Sequence, residues 1–302
     1  MTNLTTTIGP LRLKNPTMLA SGIMDEDAGS IQRIINGGAG AIVTKSIGMH
    51  PRDGYPNPTI LELDNGLLNA MGLPNPGIDH YEAEMIKLQS SPVPIIGSIF
   101  GADTKEFLTL AGKMETYGAA AVELNVSCPH AHNYGLEVGC DPILVQNIVS
   151  SVKDHVRIPI LVKISPNVTN IVEIAKAAEH GHADAIVAIN TIKGMKIDLE
   201  TRRPILANKT GGYSGPAIKP IGVRCVYDIA ATVDIPVVGV GGITTGQDVI
   251  EYLLAGASAV QIGSAVYYRG VDVFKKICRE IEHWMTAHHY KSIRELIGGA
   301  HQ

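Results

Sequence analysis

A chain of 302 residues with 45% hydrophobic content is long enough to bury one large core or two small ones. Its 25 basic and 29 acidic residues give a formal charge of −4 with no long basic stripe, which argues against a nucleic-acid binder. One Trp, three Phe and ten Tyr are too few for base stacking to be the main task.

The opening stretch, MTNLTTTIGPLRLKNP, lacks the apolar core of a signal peptide, and no later stretch has the length and apolarity of a membrane span. A cytoplasmic protein with no membrane partner is therefore expected. Short apolar runs then recur at 17–20, 41–45, 94–98, 121–125, 160–163, 185–190, 237–240 and 259–262. Most are nearly continuous, as expected of parallel strands buried on both faces. Helical patterns lie between them at 104–117, 142–155, 170–180, 223–232 and 246–255, and 273–285 reads as a closing helix. Several helices end in Gly before an Ala-led strand, at Gly118, Gly181 and Gly256, which is the chemistry of a C-cap.

Eight βα units predict an α/β fold: one closed (β/α)8 TIM barrel over 1–302, with insertions at the C-terminal face of the strands. A doubly wound sheet would usually open on GxGxxG, which the first unit lacks. Residues 46–91 and 191–222 are too long for simple crossovers. Both start at strand C-terminal ends and are expected to form a lid and rim.

In such a barrel the residues ending the strands converge on one mouth. Here they are Ser21, Lys45 with Ser46, Ser98, Asn125, Lys163, Asn190 with Thr191, Gly241 with Gly242, and Gly263 with Ser264. Polar groups leaving apolar strands are costly unless paired or bound. The glycines of VVGVGGITTG at 237–246 and VQIGSA at 260–265 would point N–H groups at an anion, and a helix starting near Thr245 would add its positive end. Barrel phosphate sites follow strands seven and eight, where these runs fall. A phosphate here fits either a phosphorylated substrate or flavin mononucleotide. Lysines at the mouth suit a reduced flavin, whose charge an ammonium stabilises, but they also suit Schiff-base chemistry, so an aldolase or lyase stays open.

The four cysteines are Cys128, Cys140, Cys225 and Cys278, with no CxxC pair. That excludes zinc-ribbon and iron–sulfur patterns, and no metal site is expected. Cys128 differs from the others. It follows Asn125 and Ser127 on the loop leaving the fourth strand, in LNVSCPH at 124–130. A thiol there suits a general base.

LNVSCPH resembles the active-site loop of the dihydroorotate dehydrogenases. So do NAMGLPNPG at 69–77, INT at 189–191, NKTGGYSGPAIKP at 208–220, Gly241–Gly242 and Gly263–Ser264. The resemblance covers essentially the whole chain. GMKIDLETRRPILANKTGG at 194–212 resembles the NAD-linked branch called class 1B, and the N-terminal helical extension typical of the membrane-bound branch is not seen.

The resemblance implies that Cys128 removes the C5 proton of dihydroorotate while hydride leaves C6 for FMN, giving orotate in pyrimidine biosynthesis. It implies substrate contacts from Asn69, Asn125, Asn190 and Thr191, from the backbone of Met71, Gly72 and Leu73, and from Lys45. Flavin contacts would come from Ser21, Lys45, Ser46, Asn125, Lys163, Ile189 and Gly215, with Gly241, Gly242, Gly263 and Ser264 around the phosphate. It further implies a partner subunit carrying FAD and a [2Fe-2S] cluster, in a heterotetramer built around a catalytic dimer, that passes electrons to NAD. Two positions depart from the pattern. His130 stands where many members have asparagine, which keeps dihydropyrimidine dehydrogenase-like chemistry open. Ser98 stands where asparagine is common near the flavin and is expected to leave a polar contact to water. A fumarate-linked homodimer is the other alternative.

Overall fold

The computed structural model describes residues 2–126 and 139–301. It begins with a hairpin, β1 (Thr6–Ile8) and β2 (Leu11–Leu13), whose alternation turns Ile8, Leu11 and Leu13 inward. The remaining strands are β3 (Thr17–Leu19), β4 (Ala41–Val43), β5 (Ile60–Leu63), β6 (Gly66–Asn69), β7 (Ile95–Ile99), β8 (Ala121–Asn125), β9 (Ile160–Ile164), β10 (Ala185–Ala188), β11 (Ile192–Gly194), β12 (Ile197–Asp198), β13 (Arg203–Pro204), β14 (Gly211–Ser214), β15 (Val237–Val240) and β16 (Ala257–Ile262). Among the described residues, β3, β4, β7, β8, β9, β10, β15 and β16 close into a parallel barrel in that order. These are the eight expected strands, and the (β/α)8 barrel is the observed fold. Each barrel strand pairs with the next barrel strand along the chain, because a right-handed βαβ connection returns the chain beside the strand it left.

The outer layer is helical: α1 (Ala28–Asn36), α2 (Ile78–Leu88), α3 (Thr104–Thr116), α4 (Pro142–His155), α5 (Ile171–His180), α6 (Lys219–Ala230), α7 (Gly246–Leu254), α8 (Ala265–Arg269) and α9 (Val273–Ala287). Their starts follow from side-chain chemistry. Asp27, Asp103, Asp141 and Asn170 each accept a backbone N–H of the first turn, a cap worth about 1 kcal/mol. At the other end, Gly118 and Gly256 take positive φ as expected. Gly181 does not (φ −76); His182 takes the left-handed turn instead, at φ 65.

The strands alternate, and this positions the site. Inward residues near the strand starts, among them Met18, Ala41, Ile96, Ala121, Leu161, Ala185, Val238 and Ala259, pack with Ile8, Leu11 and Leu13. The β1–β2 hairpin thus plugs the N-terminal end of the barrel, held by Thr6 Oγ1 donating to the Ser258 carbonyl at 2.8 Å. Two residues further along, four of the strands turn polar side chains inward, Ser98, Glu123, Lys163 and Gln261, all buried, while Val43, Val187 and Val240 stay apolar. The period of two that fills the lower barrel with hydrocarbon therefore builds a polar floor above it.

The two long insertions join. Strands β5 and β6 from the first pair with β14 and β11 from the second in one antiparallel sheet, ordered β11-β14-β6-β5, with Gly212 opposite Asn69. None of the described helices is long and apolar enough to cross a membrane.

Candidate active site

The C-terminal ends of the barrel strands and the inserted sheet enclose one cleft of about 370 Å³, within the usual size of small-molecule sites. Of the residues expected at the site, Ser21, Lys45, Ser46, Asn69, Met71, Gly72, Leu73, Asn125, Lys163, Ile189, Asn190, Thr191, Gly215, Gly241, Gly242, Gly263 and Ser264 all line it. Cys128 and His130 lie outside the described residues. The lining also includes Gly22, Gly212, Ser214 and Gln261, which sequence reasoning did not select.

Ser46 is the hub of the wall near β4. Its Oγ lies 3.2 Å from Ser21 Oγ and 2.8 Å from Ser98 Oγ, and it accepts the Asn125 Nδ2–H at 3.2 Å. Ser98 is therefore bonded within the protein, and the expectation that it leaves a contact to water is corrected. Its backbone N–H is also used, donating to Thr44 Oγ1 at 3.1 Å.

Below that wall, Asp25 pins the loop that follows β3. Its carboxylate accepts the Gly22 N–H at 2.5 Å, and its carbonyl accepts the Lys45 N–H at 3.0 Å and the Tyr81 hydroxyl at 3.2 Å. Burial pushes the carboxyl up to about 6, and the Gly22 N–H and the Lys45 charge offset this only in part. The folded chain therefore holds this proton more tightly than the unfolded chain, whose Asp titrates near 3.8. The resulting stability is full below about pH 4 and is lost as pH rises through about 6. Asp25→Asn keeps an acceptor for Gly22 and removes the buried charge. Chemical denaturation of the variant is expected to show a gain on the order of 3 kcal/mol at pH 7, shrinking as pH falls toward 4.

On the opposite side, Asn190 Oδ1 accepts the Thr191 N–H at 2.7 Å, and Asn167 Nδ2 donates to the Thr191 carbonyl at 2.9 Å. Above them, Asn69 Nδ2 donates to the Gly212 carbonyl at 3.3 Å, tying the inserted sheet to its amide. A Cβ at Gly212 would lie 2.1 Å from Thr191 Oγ1, so only glycine lets the sheet sit this close to the β10 end.

The floor is a triangle of side chains from three strands. Lys163 Nζ donates to Gln261 Oε1 at 3.0 Å, Gln261 Nε2 donates to Glu123 Oε2, and Lys163 Nζ stands 3.7 Å from Glu123 Oε1. Glu123 was hidden inside an apparently apolar run. Its signal was its place in the alternation, two residues before Asn125.

The glycine turns at the ends of β15 and β16 close the remaining side. Gly242 has φ +69, and a Cβ there would lie 2.7 Å from Lys219 Cβ and 2.8 Å from the Gly215 carbonyl. Gly263 is different. Its φ is ordinary, and a Cβ would meet only Ala20 Cβ, at 3.6 Å. Neither backbone nor packing demands glycine there, and its missing side chain leaves room in the cleft. The expected contribution of the next helix is not available. Asp248 Oδ2 accepts the N–H groups of Thr244 and Thr245, and Glu280 Oε2 accepts that of Gly246, so carboxylates of the protein already occupy the N-terminus of α7.

Such a site, a barrel mouth with a glycine cradle, a lysine floor and amide walls, invites comparison with known families. The family model described as dihydroorotate dehydrogenase matches residues 3–285. The chain belongs to the dihydroorotate dehydrogenase family. Its relatives include proteins named dihydroorotate dehydrogenase B (NAD(+)), catalytic subunit. The one from Methanocaldococcus jannaschii is 51% identical over 303 residues, covering 99% of this chain and 98% of that protein. The one from Thermoplasma acidophilum is 50% identical, covering 99% of each chain. The one from Pyrococcus horikoshii is 52% identical over 288 residues, covering 95% and 94%. Against the dihydroorotate dehydrogenase motifs, the described site positions of this chain fall together in one cleft rather than scattering over several loops.

Proposed function

We propose that this chain oxidises dihydroorotate to orotate as an FMN-containing catalytic subunit, with NAD+ as the final acceptor. The observation that carries the reading is the convergence, in a family member, of amides, lysines and glycine turns from both insertions and the barrel on one cleft. The residues present fit a flavin mononucleotide. Gly263 leaves space that a side chain would fill, Gly242 presents backbone, and Lys163 sets a positive charge on the floor.

In this reading Gly241, Gly242, Gly263 and Ser264 hold the phosphate through backbone N–H groups, while Ser21, Ser46, Lys163, Ile189 and Gly215 flank the ring system. Asn69, Asn125, Asn190 and Thr191, with Lys45 and the backbone of Met71, Gly72 and Leu73, hold the pyrimidine. A planar ring with alternating N–H and C=O edges needs such carboxamides, which donate and accept together. When bound, FMN supplies the acceptor for the hydride that leaves C6, chemistry that side chains lack. Cys128 takes the proton from C5, so the substrate loses one proton and one hydride and gains the ring double bond. The inserted sheet helps exclude water from the reacting atoms.

The relatives' designation as NAD(+)-type catalytic subunits supports a partner. We assign that partner FAD and a [2Fe-2S] cluster, within a heterotetramer built on a catalytic dimer in the cytoplasm. The test is to release and identify the flavin of the purified chain, then follow dihydroorotate oxidation with a panel of acceptors. The expected result is FMN, turnover with artificial dyes, and NAD+ reduction only when the partner is co-purified. Rapid fumarate reduction by the isolated chain would contradict the NAD+ assignment.

A further inference from the structure

Glu123 has no part in the reaction proposed above, yet its carboxylate is fully buried beneath the cleft. Its Oε2 accepts from Gln261, while its Oε1 receives no hydrogen bond among the described residues and faces Lys163 Nζ at 3.7 Å. Burying a carboxylate with an unsatisfied oxygen is expensive, and an apolar residue would fill the space at lower cost. The side chains immediately below it in the barrel are hydrocarbon. The charge is therefore not a remnant of a polar core. It sits at the level of the floor and reaches both groups that face the cleft, Lys163 and Gln261.

We propose that Glu123 is a positioning residue for Lys163. Through the direct ion pair and the Gln261 bridge it holds the ammonium fixed against the flavin. The proposal rests on the FMN reading of the cleft. Two effects of removing the carboxylate have opposite signs. Deleting a negative charge near the flavin, taken alone, favours its reduced, more negative form and raises the reduction potential. Removing the counter-charge of a buried ammonium leaves it costly. The ammonium then turns away toward water, the positive charge at the flavin is lost, and the potential falls. If Glu123 acts through Lys163, the second effect wins.

The test uses the flavin-loaded protein and measures the midpoint potential of the bound flavin by anaerobic dye equilibration in wild type, Glu123→Gln, Lys163→Gln and the double variant. Glu123→Gln is expected to lower the potential, and no longer to lower it once Lys163 is already glutamine, where only the direct, potential-raising loss of negative charge remains. Sulfite, which adds to oxidised flavin and is held by nearby positive charge, is expected to bind about tenfold more weakly to Glu123→Gln, the change that one pKa-unit equivalent of lost interaction produces. Gln261→Met, which cuts the bridge but keeps both charges, is expected to shift the potential the same way, and it carries the test if Glu123→Gln does not fold. A rise in potential, no change, or an equal shift with and without Lys163 overturns the proposal. A wild-type chain that takes up no flavin overturns the FMN reading itself, and the proposal with it.

Discussion

Replacing Cys128 with serine is expected to slow reduction of the bound flavin by dihydroorotate by roughly 10²–10⁴-fold, the usual contribution of a positioned general base. Orotate binding should change little, because the carboxamides and Lys45 proposed to hold the ring are untouched. A serine hydroxyl is a far weaker proton acceptor than a thiolate near neutral pH, so the loss falls on the chemical step. Anaerobic stopped-flow separates the two. The reduction rate at saturating dihydroorotate drops, and the orotate dissociation constant read from the flavin spectrum stays close to wild type. A serine variant that reduces its flavin at the wild-type rate at pH 7 would remove Cys128 from the role of base.

The second large effect is expected at Gly263. Alanine there keeps an allowed backbone and adds a methyl whose nearest protein neighbour is Ala20 Cβ at an ordinary 3.6 Å. The thermal midpoint of the flavin-free protein should hardly move. The inward alternation of β16, however, sends Ala259, Gln261 and Gly263 to the barrel interior, so the methyl enters the cradle proposed for the phosphate. Overpacking of this kind costs about 1–3 kcal/mol, or roughly 10–100-fold in flavin affinity. Fluorescence titration of the apoprotein with FMN measures it. Gly242→Ala is the less informative neighbour, since its positive φ and backbone contacts confound folding with binding. Unchanged FMN affinity in Gly263→Ala would move the phosphate elsewhere.

The barrel was legible because parallel strands buried on both faces read as apolar runs. The run at 121–125 coincides with β8, and the one at 237–240 with β15. The inserted sheet was not legible. Its strands are short and mixed, such as IKG in β11 and GGYS in β14, and its central pairing joins Asn69 to Gly212, 143 positions apart. Periodicity carries no signal for a pairing of that range. The hairpin plug and the first helix also carry a signal in the sequence. Leu11, Arg12 and Leu13 alternate after a Gly-Pro turn, and Asp27 caps a run with Ile31, Ile34 and Ile35 on one face.

The site was legible where a residue ends a strand, since topology alone brings strand ends together. Ser46 and Lys163 were found that way. Glu123 and Gln261 lie within the expected runs 121–125 and 259–262, where a polar residue looks like a blemish, whereas Lys163 ends the run at 160–163. The charge of α7 was misjudged for a related reason. The capping box of Thr245 and Asp248 was visible in TTGQD, and a helix start that caps itself has little left for a ligand.

The most direct measurement of the central claim is the absorbance of the flavin-loaded chain near 450 nm, followed anaerobically on adding dihydroorotate or, separately, dihydrouracil. Stoichiometric bleaching by dihydroorotate, with dihydrouracil slower by orders of magnitude, is the predicted result. A flavin that stays oxidised with dihydroorotate, or bleaches preferentially with dihydrouracil, would contradict it.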